Sequence, residues 1–190
     1  ALPYIGEAWY RNTFKLPEFD QDKKVLIVFE GAMSEPKVFV NGQKVGEWNY
    51  GYSYFYFDIT DFIKENTANT LAVNLSNKDK SSRWYPGAGI YRNVRIIVKN
   101  KEHINQWGTF ITTPFISENQ AKVNIKTKVE GENLSLLTKV YNADGNLVEE
   151  NKAKSIFGEE IEQNIEVKTP KLWSPESPYL YTAVTELYSN

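Results

Sequence analysis

The sequence predicts an all-β protein, a jelly-roll β-sandwich followed by an immunoglobulin-like β-sandwich. Three observations carry this reading. Helical periodicity is nearly missing along the 190 residues, period-2 alternation of apolar and polar residues recurs, and turn-forming dipeptides separate the alternating runs. A strand sends successive side chains to opposite faces. Alternation therefore marks a half-buried strand, and an unbroken apolar run marks one buried on both faces.

In chain order, Val25-Leu26-Ile27-Val28-Phe29 is apolar throughout and suits a strand in the middle of a sandwich. Asn41-Gly42 lies between Val38-Phe39-Val40 and Gln43-Lys44-Val45, and both turn residues tolerate the positive φ of a tight hairpin. A short helical turn is predicted at Thr60-Asp61-Phe62-Ile63-Lys64, where Asp58 or Thr60 can cap exposed amides. Leu71, Val73 and Leu75 alternate with smaller or polar neighbours, and Val94-Arg95-Ile96-Ile97-Val98 follows as a further strand. The polar tract Lys99-Asn100-Lys101-Glu102 then marks a boundary, which places domains at 1–100 and 101–190, both of ordinary size. Beyond it, Val123, Ile125, Thr127 and Val129 oppose Lys122, Asn124, Lys126, Lys128 and Glu130. Asp144-Gly145 predicts a second tight hairpin between Val140-Tyr141 and Leu147-Val148, and Ile161, Gln163, Ile165 and Val167 repeat the alternation. A long strand run with a helical turn between strands reads as a jelly roll. About seven short strands separated by turns read as an immunoglobulin-like domain.

Composition narrows the function classes. A net charge of -2 with interspersed signs offers no basic face for nucleic acid. No apolar run approaches the roughly 20 residues that span a bilayer, so no membrane span is expected. Cysteine is absent, which excludes disulfide frameworks and thiolate metal sites. No charged leader precedes an apolar stretch at Ala1-Leu2-Pro3-Tyr4, and the compartment stays open between secreted or periplasmic and cytoplasmic. The abrupt start and the end straight after a strand-like run are read as marks of a piece excised from something longer.

The most heavily loaded segment is Ser82-Arg83-Trp84-Tyr85-Pro86-Gly87-Ala88-Gly89-Ile90-Tyr91-Arg92-Asn93-Val94. It crowds aromatics, arginines and glycines into one loop, and loops on a rigid scaffold are where binding residues concentrate. Gly6-Glu7-Ala8-Trp9-Tyr10-Arg11-Asn12-Thr13-Phe14, Phe29-Glu30-Gly31-Ala32-Met33, the Asn41-Gly42 hairpin, Gly51-Tyr52-Ser53-Tyr54-Phe55-Tyr56-Phe57-Asp58-Ile59-Thr60 and Leu71-Ala72-Val73 precede it in a fixed order. Together these segments resemble the sugar-binding N-terminal domain of glycoside hydrolase family 2. The group includes β-galactosidases, β-glucuronidases and β-mannosidases, and the wording of Ser82-Arg83-Trp84-Tyr85 looks most like the β-galactosidases. Leu172-Trp173-Ser174-Pro175-Glu176-Ser177-Pro178-Tyr179-Leu180-Tyr181 resembles the end of that family's immunoglobulin-like domain. The resemblance implies a TIM-barrel catalytic domain elsewhere in the polypeptide, carrying two glutamates for retaining hydrolysis, with this chain supporting the barrel and forming part of the pocket rim. It names a β-galactoside-like carbohydrate and the protein's own barrel as partners. No cofactor and no metal are expected.

Arg83, Trp84 and Tyr85 are the candidate substrate-binding residues. Trp84 offers a stacking face, and Arg83 a rigid fork of donors for hydroxyls or a carboxylate. Two readings stay open: the loop walls a sugar pocket, or Trp84 plugs the jelly-roll core while Arg83 meets a carboxylate on the barrel. Some family members carry an acidic residue just before the matching tryptophan, and here Ser82 and Arg83 stand there, so that role is not transferred. No catalytic residue is assigned. Retaining hydrolysis needs two carboxyl groups about 5–5.5 Å apart, whereas Glu149-Glu150 and Glu159-Glu160 are strand neighbours that point to opposite faces. Glu7 and Glu30 read as structural partners of nearby arginines, Arg92 as a structural arginine, and His103 as an ordinary strand residue. The run Trp48, Tyr50, Tyr52, Tyr54, Phe55, Tyr56, Phe57 reads either as a sugar platform or, preferred, as core and interdomain packing. Trp173, between Leu172 and the Pro175 and Pro178 corner, is expected to cap the second core. Two rival readings remain: a free-standing carbohydrate-binding module, and a purely structural β-sandwich array.

Overall fold

The computed structural model describes residues 5–16, 23–80, 88–157 and 160–189. The chain forms two compact units, residues 1–100 and residues 101–190. Both are built from antiparallel strands, as an all-β pair of sandwiches requires.

In the first unit, β1 (Gly6–Phe14), β7 (Asn69–Asn77), β4 (Lys37–Val40) and β5 (Gln43–Glu47) lie side by side in that order in one sheet. The second sheet runs β6 (Phe55–Asp58), β2 (Lys23–Phe29), β9 (Val94–Asn100), and a two-stranded pair joins β3 (Ala32–Met33) to β8 (Gly89–Ile90). Val25, Ile27 and Phe29 from β2 meet Val38, Val40, Val73 and Leu75 from the other sheet in one core. Val25, Leu26, Ile27, Val28 and Phe29 are all buried, as their unbroken apolar run requires of a central strand. The predicted helical turn is a single 3-10 turn at Thr60–Phe62. Asp58 accepts from the Thr60 amide at 2.9 Å, and the Thr60 hydroxyl in turn accepts from the Val25 amide at 3.0 Å.

The Asn41-Gly42 hairpin forms as read, with φ of 51° and 83° at its two turn residues. Its asparagine also has a second task that spacing does not reveal. The Asn41 side chain donates to the Phe62 carbonyl at 2.8 Å and to Asn69 Oδ1 at 2.7 Å, and accepts from the Thr70 amide at 3.0 Å. Asn69 is fully buried and bonds both the amide and the carbonyl of Lys64. One polar knot thus fastens the hairpin to the connection after the 3-10 turn.

The second unit pairs a sheet of β10 (His103–Ile116), β11 (Gln120–Glu130) and β14 (Glu160–Lys168) with a sheet of β13 (Leu147–Phe157), β12 (Glu132–Tyr141) and β15 (Thr182–Ser189). Six strands are present among the described residues where about seven short ones are predicted, and most are long, β10 reaching 14 residues. The alternation of β14 is complete: Ile161, Gln163, Ile165 and Val167 are buried and their neighbours exposed. Asp144-Gly145 does not make a two-residue hairpin. Only Gly145 has positive φ, and Asn142 organises a five-residue loop by accepting from the amides of Asp144 and Asn146 at 3.0 and 2.8 Å. Trp173 departs from expectation too. It is 59% exposed and does not cap the core, because the Ser174 to Ser177 turn is closed by its own backbone bonds and leaves the indole outside.

Candidate functional site

Residues 88–93, which follow Arg83, Trp84 and Tyr85 in sequence, meet the turns at Gly31 and Gly51. Arg83, Trp84 and Tyr85 themselves lie outside the described residues. The stem that delivers the loop is well defined. Gly89 has φ of +119°, and a Cβ there would stand 2.8 Å from the Tyr10 hydroxyl, so the strand return after the loop requires glycine. β8 then pairs with β3 through Ala32–Ile90 and Met33–Gly89.

Tyr91 is the rivet of the junction. Its hydroxyl donates to the Gly51 carbonyl at 2.8 Å and its amide donates to the Gly31 carbonyl at 3.3 Å, tying the loop stem to two other turns. The ring lies so close over Gly31 that a Cβ there would meet it at 2.5 Å. Arg92 rests its guanidinium over the same ring, 5.8 Å from the centroid. This is a local structural contact, in keeping with the structural role read for it.

Glu30 is fully engaged. Arg95 Nε donates to one carboxylate oxygen at 2.7 Å and Asn93 Nδ2 to the other at 3.1 Å, while the Glu30 amide donates to the Asn93 carbonyl. The Arg95 hydrogen bond, opposed by slight desolvation and aided by Asn93, holds the Glu30 carboxyl below the usual glutamate range. A proton donor for glycoside cleavage needs the opposite shift. Glu30 therefore braces the junction through an arginine, as its sequence surroundings indicated. Glu7 is an exposed residue of β1.

The aromatic run divides. Phe55 is buried and stacks on Phe29 at 4.9 Å, Trp48 stacks on Phe55 at 5.8 Å, and Phe57 packs against the same core. The Trp48 indole N–H donates to Ser53 Oγ at 3.0 Å. The core reading thus holds for Phe55 and Phe57, whereas Trp48 stays 39% exposed and covers Phe55 from outside. Tyr50 and Tyr52 stay 59% and 49% exposed on the turn held by Tyr91, but their rings meet edge-on at 61°. Two rings in that relation do not present one flat platform.

Two cavities adjoin the stem. The smaller, about 190 Å³, is a notch lined by Gly6, Ala8, Tyr10, Met33, Asn77 and Gly89 among others. Complete small-molecule pockets run to roughly 300–1,000 Å³, so the notch is part of a site rather than a whole one. The larger, about 360 Å³, opens between β1 and β9 over Phe14, Ile27, Val73 and Ile96. Its walls are mostly apolar side chains, with Tyr10, Arg11 and Asn12 as the polar part of the lining, and it reads as an uncovered sandwich edge. Tyr10 lines both cavities and was not singled out from the sequence. The available signal was the Trp9-Tyr10-Arg11 cluster, whose exposed faces an isolated strand has no use for. In the second unit, His103 opens β10, with Nδ1 3.0 Å from the Lys101 carbonyl oxygen. Glu149 and Glu150 follow one another on β13 opposite Val140 and Lys139, on opposite faces, and Glu160 lies 3.7 Å from Lys126.

A family profile described as "Glycosyl hydrolase 2 galactose-binding domain-like" matches residues 2–85, and one described as "Glycosyl hydrolases family 2" matches residues 102–190. The chain belongs to glycoside hydrolase family 2. A β-galactosidase of Bacteroides ovatus is 38% identical over the whole of the chain, which covers 23% of that protein. A β-galactosidase of Thermoanaerobacter pseudethanolicus is 35% identical over 97% of the chain and 26% of its own length. Among solved structures, a family 2 member from Bacteroides cellulosilyticus superposes with a TM-score of 0.90 at 30% identity, covering 98% of the chain and 27% of that structure. The β-glucuronidase of Bacteroides uniformis matches with a TM-score of 0.88 at 32% identity, over 98% of the chain and 24% of that structure. This family 2 chain spans about a quarter of the length of the curated relatives it matches.

Proposed function

We propose that this chain is the non-catalytic N-terminal portion of a family 2 glycoside hydrolase acting in carbohydrate metabolism, with a β-galactoside as the favoured substrate class. The two domains, the jelly-roll sugar-binding domain at 1–100 and the immunoglobulin-like domain at 101–190, support a TIM barrel housed in the rest of the polypeptide. The Arg83, Trp84 and Tyr85 loop completes the rim of the barrel's pocket. One observation carries this reading: the loop stem is fixed by Tyr91 and Gly89 beside a notch too small to hold a substrate by itself. A rim contributes walls and contacts, and the acid and the nucleophile come from the barrel. The β-galactosidase 38% identical to this chain supports the galactoside, and the β-glucuronidases among the relatives make a β-glucuronide the alternative to assay beside it.

The test uses the longer polypeptide. With a chromogenic β-galactoside, Trp84→Ala is expected to lower kcat/KM by about 10- to 100-fold, the worth of roughly 1–3 kcal/mol of lost contact. An unchanged kcat/KM overturns the rim assignment. Because the matched profile is described as galactose-binding domain-like, a stand-alone carbohydrate-binding module is the second reading. Titrating this chain alone with galactosides separates the two. Saturable binding abolished by Trp84→Ala selects the module, and absence of binding selects the rim.

A further inference from the structure

We infer that Asn41-Gly42 is a site of spontaneous deamidation that the fold holds shut, and that the modification, once made, bars the first unit from closing again. The inference stands apart from the proposed function. Asn41 is the one asparagine of the chain that glycine follows. Glycine has no side chain to shield its own amide nitrogen, so this dipeptide offers the least hindered attack on an asparagine side chain. The reaction needs no partner but water. The Gly42 nitrogen bonds to Asn41 Cγ, the Cγ–Nδ2 bond breaks, and ammonia leaves with the proton that the Gly42 amide gives up. Water then opens the cyclic imide at either carbonyl, giving aspartate or isoaspartate.

Access to the nucleophile does not hold the reaction back. Gly42 is exposed, and a Cβ there would meet nothing within 4 Å. The group under attack is what the fold restrains. Asn41 Nδ2 commits both its protons, to the Phe62 carbonyl at 2.8 Å and to Asn69 Oδ1 at 2.7 Å, and Oδ1 accepts from the Thr70 amide at 3.0 Å. The Asn41 amide closes the same contact from the main chain, donating to the Thr70 carbonyl at 2.8 Å. Turning Cγ onto the Gly42 nitrogen breaks the three side-chain bonds together, and the departing nitrogen is the one that two acceptors retain. The lock is therefore the polar knot itself, and it yields only when the knot opens.

The product does not fit the same place. Asn69 is fully buried and its side-chain amide is fixed in direction: Oδ1 accepts from the Lys64 amide at 2.8 Å, while Nδ2 donates to the Lys64 and Thr67 carbonyls at 2.9 and 3.2 Å. A carboxylate at position 41 sets an acceptor against the Phe62 carbonyl and Asn69 Oδ1, with no proton to share. Acceptors left unpaired in the interior, one of them charged, oppose closure. Isoaspartate adds a carbon to the main chain, and the two-residue turn between the paired Val40 and Gln43 has no slack for it. Each opening that lasts long enough for the imide to form thus withdraws a molecule from the folded pool.

Mass spectrometry tests the lock. The chain is held at mildly alkaline pH, native or unfolded in guanidinium chloride, and the tryptic peptide 38–44 is followed for exchange of amide for acid. The native chain should react on the order of 100-fold more slowly than the unfolded one, because reaction waits on local opening. Equal rates in the two states, or no reaction in either, overturn the inference. Asn41→Asp supplies one product directly and tests the second half. Its first unit is expected to unfold at a lower guanidinium concentration than wild type, or not to fold at all. An unchanged midpoint overturns the claim that the product bars closure.

Discussion

Glycine at position 31 illustrates how single residues hold the junction. Its missing Cβ is the space the Tyr91 ring occupies, and Tyr91 in turn holds the Gly51 carbonyl. Gly31→Ala should destabilise the first unit by about 1–3 kcal/mol, the usual cost of forcing a methyl into filled space. Urea unfolding of the variant measures this, and an unchanged midpoint would contradict the contact. Asp58 carries a pH signature. Burial pushes its carboxyl up, but the hydroxyl and amide of Thr60 together with Lys24 more than offset this and hold it below the usual aspartate range. A lowered folded pKa adds stability that is complete above the unfolded pKa and is lost as pH falls through the folded one. Thermal melts of wild type and Asp58→Asn should therefore differ near neutrality and converge below about pH 4. The gap is expected to be small, since the Lys24 pair is well exposed to solvent. A constant gap down to pH 3 would refute the assignment.

At the scale of elements, Gln163 joins the two sheets of the second unit. From β14 it accepts from the Thr138 hydroxyl on β12 at 2.7 Å and donates to the Asn151 carbonyl on β13 at 2.7 Å, and Thr138 also meets Thr185 on β15. Replacing it by leucine keeps the volume but takes the acceptor from the buried Thr138 hydroxyl and the donor from the partly buried Asn151 carbonyl. Gln163→Leu should cost about 1–3 kcal/mol. Combined with Thr138→Val, the loss should fall short of the sum, because both changes break one network. Strict additivity in a denaturation cycle would count against the bridge. The inward position of Gln163 was legible from alternation, whereas its cross-sheet partners were not, since they are set by the facing sheet. β10 was the least legible strand for a related reason. Register shifts between Ile104 and Thr109 and between Thr112 and Phe115, with Trp107 at φ of 53°, erase the period-2 signal. Dipeptide rules recognised Asn41-Gly42, and misjudged the Asp144-Gly145 loop, where Asn142 takes control from outside the dipeptide.

For the whole molecule, composition and alternation sufficed for the all-β sandwich class, and the order of short motifs sufficed for the family. The site was legible only in part. Aromatics and arginines marked the loop, but which rings reach solvent is decided by a stack running from Trp48 through Phe55 to Phe29. The anchoring of the stem by Tyr91 comes from folding, since Gly31 and Gly51 are 60 and 40 residues away from it in sequence. We propose that these two sandwiches position a sugar and a barrel while the bond-breaking carboxyl groups reside elsewhere in the polypeptide. The direct measurement is release of nitrophenol from a β-galactoside by this purified chain, beside the longer polypeptide under the same conditions. Turnover by the longer polypeptide, with none above the buffer rate from this chain, is the predicted result; sustained turnover by the chain alone would contradict it.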